Sequence, residues 1–436
     1  MEMNHCTAGF ARLDITGPLG VWMRGRNFKR YSAGVHDPLY VNAIAFGEGD
    51  KSAVILVADL LGIYDESAWE WPVKVAETVG LDPSSVILCC THSHTSPSIR
   101  DELYAKWLFR RLCDAATLAL QDRKPVTDVK WAEGLAHGLA AVRRYRMKDG
   151  TVLTNPGPSQ IEDIVDTACE NDQSMRVIRI LREEGPEIDL VNFQSHPDNT
   201  SGDWYSADFP GALRNHVEEN IKNRDVRCVF INGAEGQMVA SDRRGRKGPK
   251  VPASPARAKA YGIKLAAVAL ELLERAESTE MSGMSYDQQI VKLQTKRDSS
   301  KVPEAQRILD LWHQGRKEEL SPSAKLANYM MVQASQICYL EERNLDYIDA
   351  IISCITFCGL ALVGFPGEPF NEMGKQTRAA SKFPVTCVCC QANGCHGYIP
   401  TAEAYDQGGY ETYATKLNKG AAEKMVEKAV EMLAAQ

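Results

Sequence analysis

The segment VILCCTHSHTSP, residues 86–97, decides the fold. Five apolar residues stop abruptly in a small, polar stretch. That is the pattern of a short strand buried on both faces and ending at a loop that carries chemistry. Four more runs end the same way: residues 54–58 lead into Asp59, 190–193 into QSHPDN, 228–231 into NGAEG, and 360–365 into PGEPF. Residues 40–46 and 352–363 read as further buried strands. Between the strands, residues 102–121, 210–221, 255–277, 324–342 and 421–435 space their apolar side chains by three and four, as helices do. The alternation predicts an α/β class: largely buried mixed sheet or sheets covered by helices, with a site at the strand carboxyl ends. If the sheet is parallel there, the five strand-end motifs meet.

Composition narrows the functional classes. With 44% hydrophobic and 25% charged residues among 436, the chain is an ordinary globular protein and neither disordered nor fibrous. Fifty basic against 57 acidic residues give a net charge of -7, which argues against nucleic acid as partner. The opening MEMNHCTAGFARL lacks the basic start and apolar core of a signal peptide, and residues 351–363 are too short to span a bilayer. A cytoplasmic protein with no integral membrane segment is expected, its oligomeric state unspecified. Thirteen irregularly spaced cysteines do not form a disulfide framework. Cys387, Cys389, Cys390, Cys395 and His396 fit no pair of Cys-x-x-Cys knuckles, so residues 385–390 read as a strand using cysteine as a small hydrophobe. No repeat or Pro-rich linker divides the chain. We expect one domain over residues 1–436, with a helical insertion at 302–345.

The strand ends hold the reactive residues. His92 and His94 form a His-x-His pair, which on extended backbone projects two imidazoles the same way, toward one metal or one substrate. A hydrogen-bonded pair of loop histidines is the competing reading. His196 is directed by the proline after it, and Glu368 lies between glycine and prolines, an odd place for a solvated charge. Two or three histidines plus one carboxylate suit a catalytic zinc ion with a position left for water. Asp59 and Asp208 are candidates for fixing imidazole tautomers, with capping the alternative for Asp208. His36, followed by Asp37, is placed to orient something nearby. The basic loop 243–250 is either an anion site or a solvated turn.

Ten collinear blocks resemble the neutral, non-lysosomal ceramidase family, in its amino-terminal catalytic domain: AGFARLDITGP, GVHDPLY, VADLLG, THSHTSP, VRRYRMKDGTVLTNP, SHPDN, SADFPG, NGAEG, PGEPF and GYIPTAEAYDQGGYE. The resemblance implies one Zn2+ held by His92, His196, Glu368 and Tyr398. It further implies that Arg143 binds substrate, that Tyr410 approaches it, and that His94 is a neighbour able to hydrogen-bond substrate or shuttle a proton. Arg144 and Arg146 stand beside Arg143, and Val142 replaces the family's Asn. The family's serine nucleophile is absent: Val239 takes its place, and Ser241 lies two residues on. The chain is also too short for the family's immunoglobulin-like C-terminal domain. The expected activity is zinc-dependent hydrolysis of an amide or ester in a small or acyl-bearing substrate by metal-activated water. A zinc-dependent lyase or isomerase acting on a small polar or sugar-derived substrate is the alternative, and a non-catalytic binding protein a third reading.

Overall fold

Strands β1 (Thr7–Asp14), β2 (Tyr40–Glu48), β3 (Lys51–Ala58), β4 (Val86–Cys90), β5 (Lys124–Leu135), β6 (Ser174–Arg182), β7 (Glu187–Phe193) and β8 (Val226–Asn232) form one mixed sheet, in the order β8-β7-β6-β5-β1-β2-β3-β4. The computed structural model describes residues 6–26, 29–64, 67–244, 252–281 and 283–436. Only the two outer pairs, β3 with β4 and β7 with β8, are parallel. Four strands, β9 (Met284–Gln294), β10 (Tyr347–Phe357), β11 (Leu360–Gly364) and β12 (Val385–Cys389), make a second sheet.

Alternation along the strands explains the layering. In β3, Val54, Leu56 and Ala58 face one core while Ala53, Ile55 and Val57 face another, so both sides of the sheet are buried. The first core is closed by helices α1 (Ser67–Val79) and α2 (Glu102–Gln121), the latter capped by the Asp101 carboxylate accepting from Tyr104 N. The second core is the seam between the two sheets, where Phe46 meets Phe357 with ring centroids 4.8 Å apart. Helices α3 (Asp208–Asn220) and α4 (Pro255–Glu274) cover β6 to β8. Residues 421–435, a helix as predicted, cover the outer face of the second sheet. The layers run helix, sheet, sheet, helix.

Residues 352–363 are not one strand. Cys358 and Gly359 both have positive φ, 46° and 78°, and make a two-residue turn that splits the run into antiparallel β10 and β11. Helices α5 (Val302–His313) and α6 (Ala324–Glu342) lie between antiparallel neighbours β9 and β10, as a helical excursion from their hairpin. All thirteen cysteines are free thiols, and Cys387 and Cys389 pack into the seam between the sheets. Among the described residues no helix is long and apolar enough to cross a membrane.

Candidate metal centre

β4 and β8 are the two edges of the large sheet and run in opposite senses along its pairing order. A uniformly parallel sheet is therefore not what brings the motifs together. The twisted sheet curls until its edges meet, and Asn232 Nδ2, at the end of β8, donates to Thr91 O, just past β4, at 3.0 Å.

Three loops are then fixed by hydrogen bonds. His92 N and Ser93 N both donate to Leu60 O, at 2.9 and 3.1 Å, stitching the loop after β4 to the loop after β3. His92 is not extended: its φ is +71°, a left-handed conformation uncommon for a residue with a Cβ. That turn, rather than strand alternation, sets the His92 and His94 rings edge to face at 5.0 Å. The His196 loop hangs on Asp208, whose carboxylate accepts from Asn199 N at 2.9 Å and Thr200 N at 2.6 Å. Glu368 is set by register, since the two-residue strand Glu368–Pro369 pairs in parallel with Tyr398–Ile399. Gly236 is required here: a Cβ would fall 2.4 Å from Glu368 O.

All three imidazoles present Nε2 to a common centre. His92 Nδ1 lies 2.7 Å from Leu61 O, His94 Nδ1 2.9 Å from Gly25 O, and His196 Nδ1 3.2 Å from Glu235 O. A carbonyl only accepts, so each Nδ1 carries the proton and each Nε2 keeps its lone pair. Glu368 Oε2 is 3.6 Å from His92 Nε2 and 3.5 Å from His196 Nε2, and His94 Nε2 is 3.3 Å from His92 Nε2. Burial pushes all three imidazoles down to about 3 and drives the Glu368 carboxyl well above the usual range.

Glu235, from the NGAEG strand end, was not anticipated. It is fully buried, and its carboxylate touches His196 Nδ1. The signal that singled out Glu368, an acid among small residues at a strand end, is equally present at Glu235. Arg143 is held by Glu411 at 2.6 Å and by Gly236 O at 2.8 Å, with its guanidinium 5.3 Å from the Tyr398 ring centre. Arg144 points elsewhere, to the carbonyls of Ala404 and Gly408. Tyr398 lies 6.4 Å from His196 and 5.8 Å from Tyr410, ring to ring, and pairs with Glu368 in the short parallel strand. Burial keeps Tyr410 protonated, raising it to about 12.

Other sequence-predicted roles shift. Asp59 fixes no imidazole; it forms a two-pronged ion pair with Arg214 at 2.8 and 2.6 Å and receives Tyr40 N. Asp208 likewise anchors backbone rather than a ring. Asp37, not His36, does the orienting: it accepts from Ser206 Oγ at 2.6 Å, and Ser206 O in turn accepts from Ser93 Oγ at 2.6 Å. Val239 lies in a two-stranded pair with Ala141, two residues before Arg143, while Ser241 is part-exposed. Arg244 is paired with Asp166 and Asp242, and His5 and residues 245–250 lie outside the described residues.

His92, His196, Glu235 and Glu368 each offer one ligand atom within 4.8 Å of the others, and His94 forms a second such group with His92 and His196. His196 Nε2 and Glu368 Oε2 are buried without a hydrogen-bond partner, as is the Glu235 oxygen that does not touch His196. Orphaned lone pairs converging in a buried space are costly unless a cation satisfies them. The residues fit a divalent ion, and a nitrogen-rich set with one or two carboxylates suits zinc.

The chain matches no protein-family profile and no curated protein sequence. Its fold is similar to solved ceramidases. Against the neutral ceramidase from Pseudomonas aeruginosa the TM-score is 0.71 at 16% identity, over 99% of this chain and 74% of that one. Against a structure described as ceramidase complexed with C2 the TM-score is 0.69 at 15% identity, over 99% and 75%. The chain thus has a neutral-ceramidase-like fold.

Proposed function

We propose that the protein is a zinc-dependent hydrolase that cleaves an amide, or an ester, in a small or acyl-bearing substrate without a serine nucleophile. One observation carries this reading: three imidazoles with their Nδ1 atoms tied back gather their Nε2 atoms together, and two of them, His92 and His196, turn Nε2 onto the same buried carboxylate, Glu368. The similarity to ceramidase folds, whose named members are amide hydrolases, supports it. His92, His196 and Glu368 would hold the ion, with Tyr398 beside Glu368 completing the set, and Glu235 behind His196 raising that imidazole's basicity. A zinc ion bound there supplies Lewis acidity and lowers the pKa of water to about 7.

The chain's own groups supply the rest. His94 is neutral with Nε2 unprotonated and faces the same centre, so it accepts a proton from the attacking water and returns it to the departing amine or alcohol. Tyr410 stays protonated and acts as a hydrogen-bond donor toward negative charge developing on the substrate carbonyl oxygen. Arg143, neutralised by Glu411, holds the Tyr398 ring in place. Val239 stands where ceramidases carry the serine proposed as nucleophile, and we therefore take water as the attacking group. The whole chain forms one catalytic unit, with α5 and α6 closing over Tyr410: Tyr329 lies 5.4 Å from it, ring to ring.

Turnover in oxygen-18 water tests the reaction. The acid product carries one labelled oxygen if the enzyme is a hydrolase. Product formed without label overturns hydrolysis and favours elimination or isomerisation.

A further inference from the structure

Four arginines lie near the imidazole cluster, and three of them donate to acceptors, although Arg30 Nε is itself unpartnered. Arg143 pairs with Glu411. Arg26 pairs with Asp198. Arg30 donates to the carbonyls of Gly202, Arg24 and His94. Arg24 is different. Among the described residues its guanidinium donates to no acceptor, its Nη1 is buried without a partner, and its face lies 3.9 Å over the Tyr64 ring centre.

Arg24 and Tyr64 belong to the two segments that hold the histidines from behind. Gly25 O receives His94 Nδ1, and a Cβ on Gly25 would fall 3.0 Å from that nitrogen, so the strap carrying Arg24 lies directly on the His94 ring. Leu61 O receives His92 Nδ1, and next to it a Cβ on Gly62 would fall 3.3 Å from the Tyr64 hydroxyl. A stacked guanidinium keeps its edge free, and that edge matches the two oxygens of a carboxylate or phosphate. Leaving the buried Nη1 of a charged, part-exposed guanidinium unpaired is unfavourable, and an anionic ligand group removes the penalty.

We propose that Arg24 is a specificity-determining residue, which with Tyr64 binds an oxyanion on the substrate next to the scissile bond. The substrate class is then an acyl amide or ester whose amine or alcohol portion bears a carboxylate or phosphate, rather than a neutral lipid. This rests on the hydrolase reading above and deepens it.

Three matched amides test it with the zinc-loaded protein: hexanoylglycine, N-hexanoyl-phosphoethanolamine and neutral hexanoylglycinamide. The expected result is a kcat/KM for at least one anionic amide about tenfold or more above the neutral one, the size of a charge-assisted hydrogen bond. Which anion wins separates carboxylate from phosphate. Arg24→Met brings the ratio near one, and Arg24→Lys keeps part of it. No discrimination by the wild type, or discrimination that survives in a folded Arg24→Met, overturns the proposal. If no amide is turned over, the hydrolase reading fails separately. The anion site is then read by thermal shift with hexanoylglycine and N-hexanoyl-phosphoethanolamine, where wild type and Arg24→Met responding alike overturns it.

Discussion

At the scale of residues, the centre is built by carbonyl oxygens as much as by side chains. Leu61, Gly25 and Glu235 each supply the carbonyl that sets one imidazole. The four strand-end positions His92, His94, His196 and Glu368 were legible in the sequence because each sits in a short motif at the end of an apolar run. Glu235, Glu411 and Arg24 were not, because their significance is tertiary. Glu411 meets Arg143 across 268 residues, and local pattern does not distinguish a buried acid from a solvated one. Glu235 gives the sharpest test at this scale. Glu235→Gln should weaken zinc affinity by about 10- to 100-fold through loss of the charge behind His196, measured by competition with a chromophoric chelator. Unchanged affinity would show that the carboxylate supports no ligand.

At the scale of elements, apolar runs predicted where strands lie but not how they pair. Residues 86–90, 102–121, 324–342 and 421–435 have the bounds their periodicity predicts. The run 352–363 concealed a turn, because cysteine at its centre reads as apolar while its backbone is left-handed. Likewise a Cys90 strand end and an Asn232 strand end gave no sign that they belong to opposite edges of one curled sheet. The β10–β11 turn depends on Gly359, whose φ is 78° and where a Cβ would meet Thr279 Oγ1 at 2.1 Å. Gly359→Ala should cost about 1–3 kcal/mol, from left-handed strain and the displaced threonine, read as a lower urea midpoint. An unchanged midpoint would mean that the turn relaxes freely.

At the scale of the whole molecule, a thick four-layer body lets the site bury charge and imidazole together. The cost appears as pH dependence in the metal-free protein. His92, His94 and His196 are held near 3 by burial, against about 6.5 in an unfolded chain. Between those values the unfolded state binds more protons, so stability is full above about 6.5 and falls as pH drops toward 3. Glu235 and Glu368, raised by burial, work in the opposite sense. The chelated His94→Gln variant isolates the imidazole contribution. Its urea midpoint should fall less between pH 7 and 5 than the wild type's, and parallel profiles would contradict the burial argument.

The proposed catalytic metal site lies where His92, His196 and Glu368 converge. Metal content by mass spectrometry, on wild type and Glu368→Ala after dialysis against zinc, tests it most directly. The expected result is about one zinc per wild-type chain and a small fraction of that in Glu368→Ala, with activity lost in parallel. A variant that retains its full equivalent of zinc, or a wild type that binds none, would contradict it.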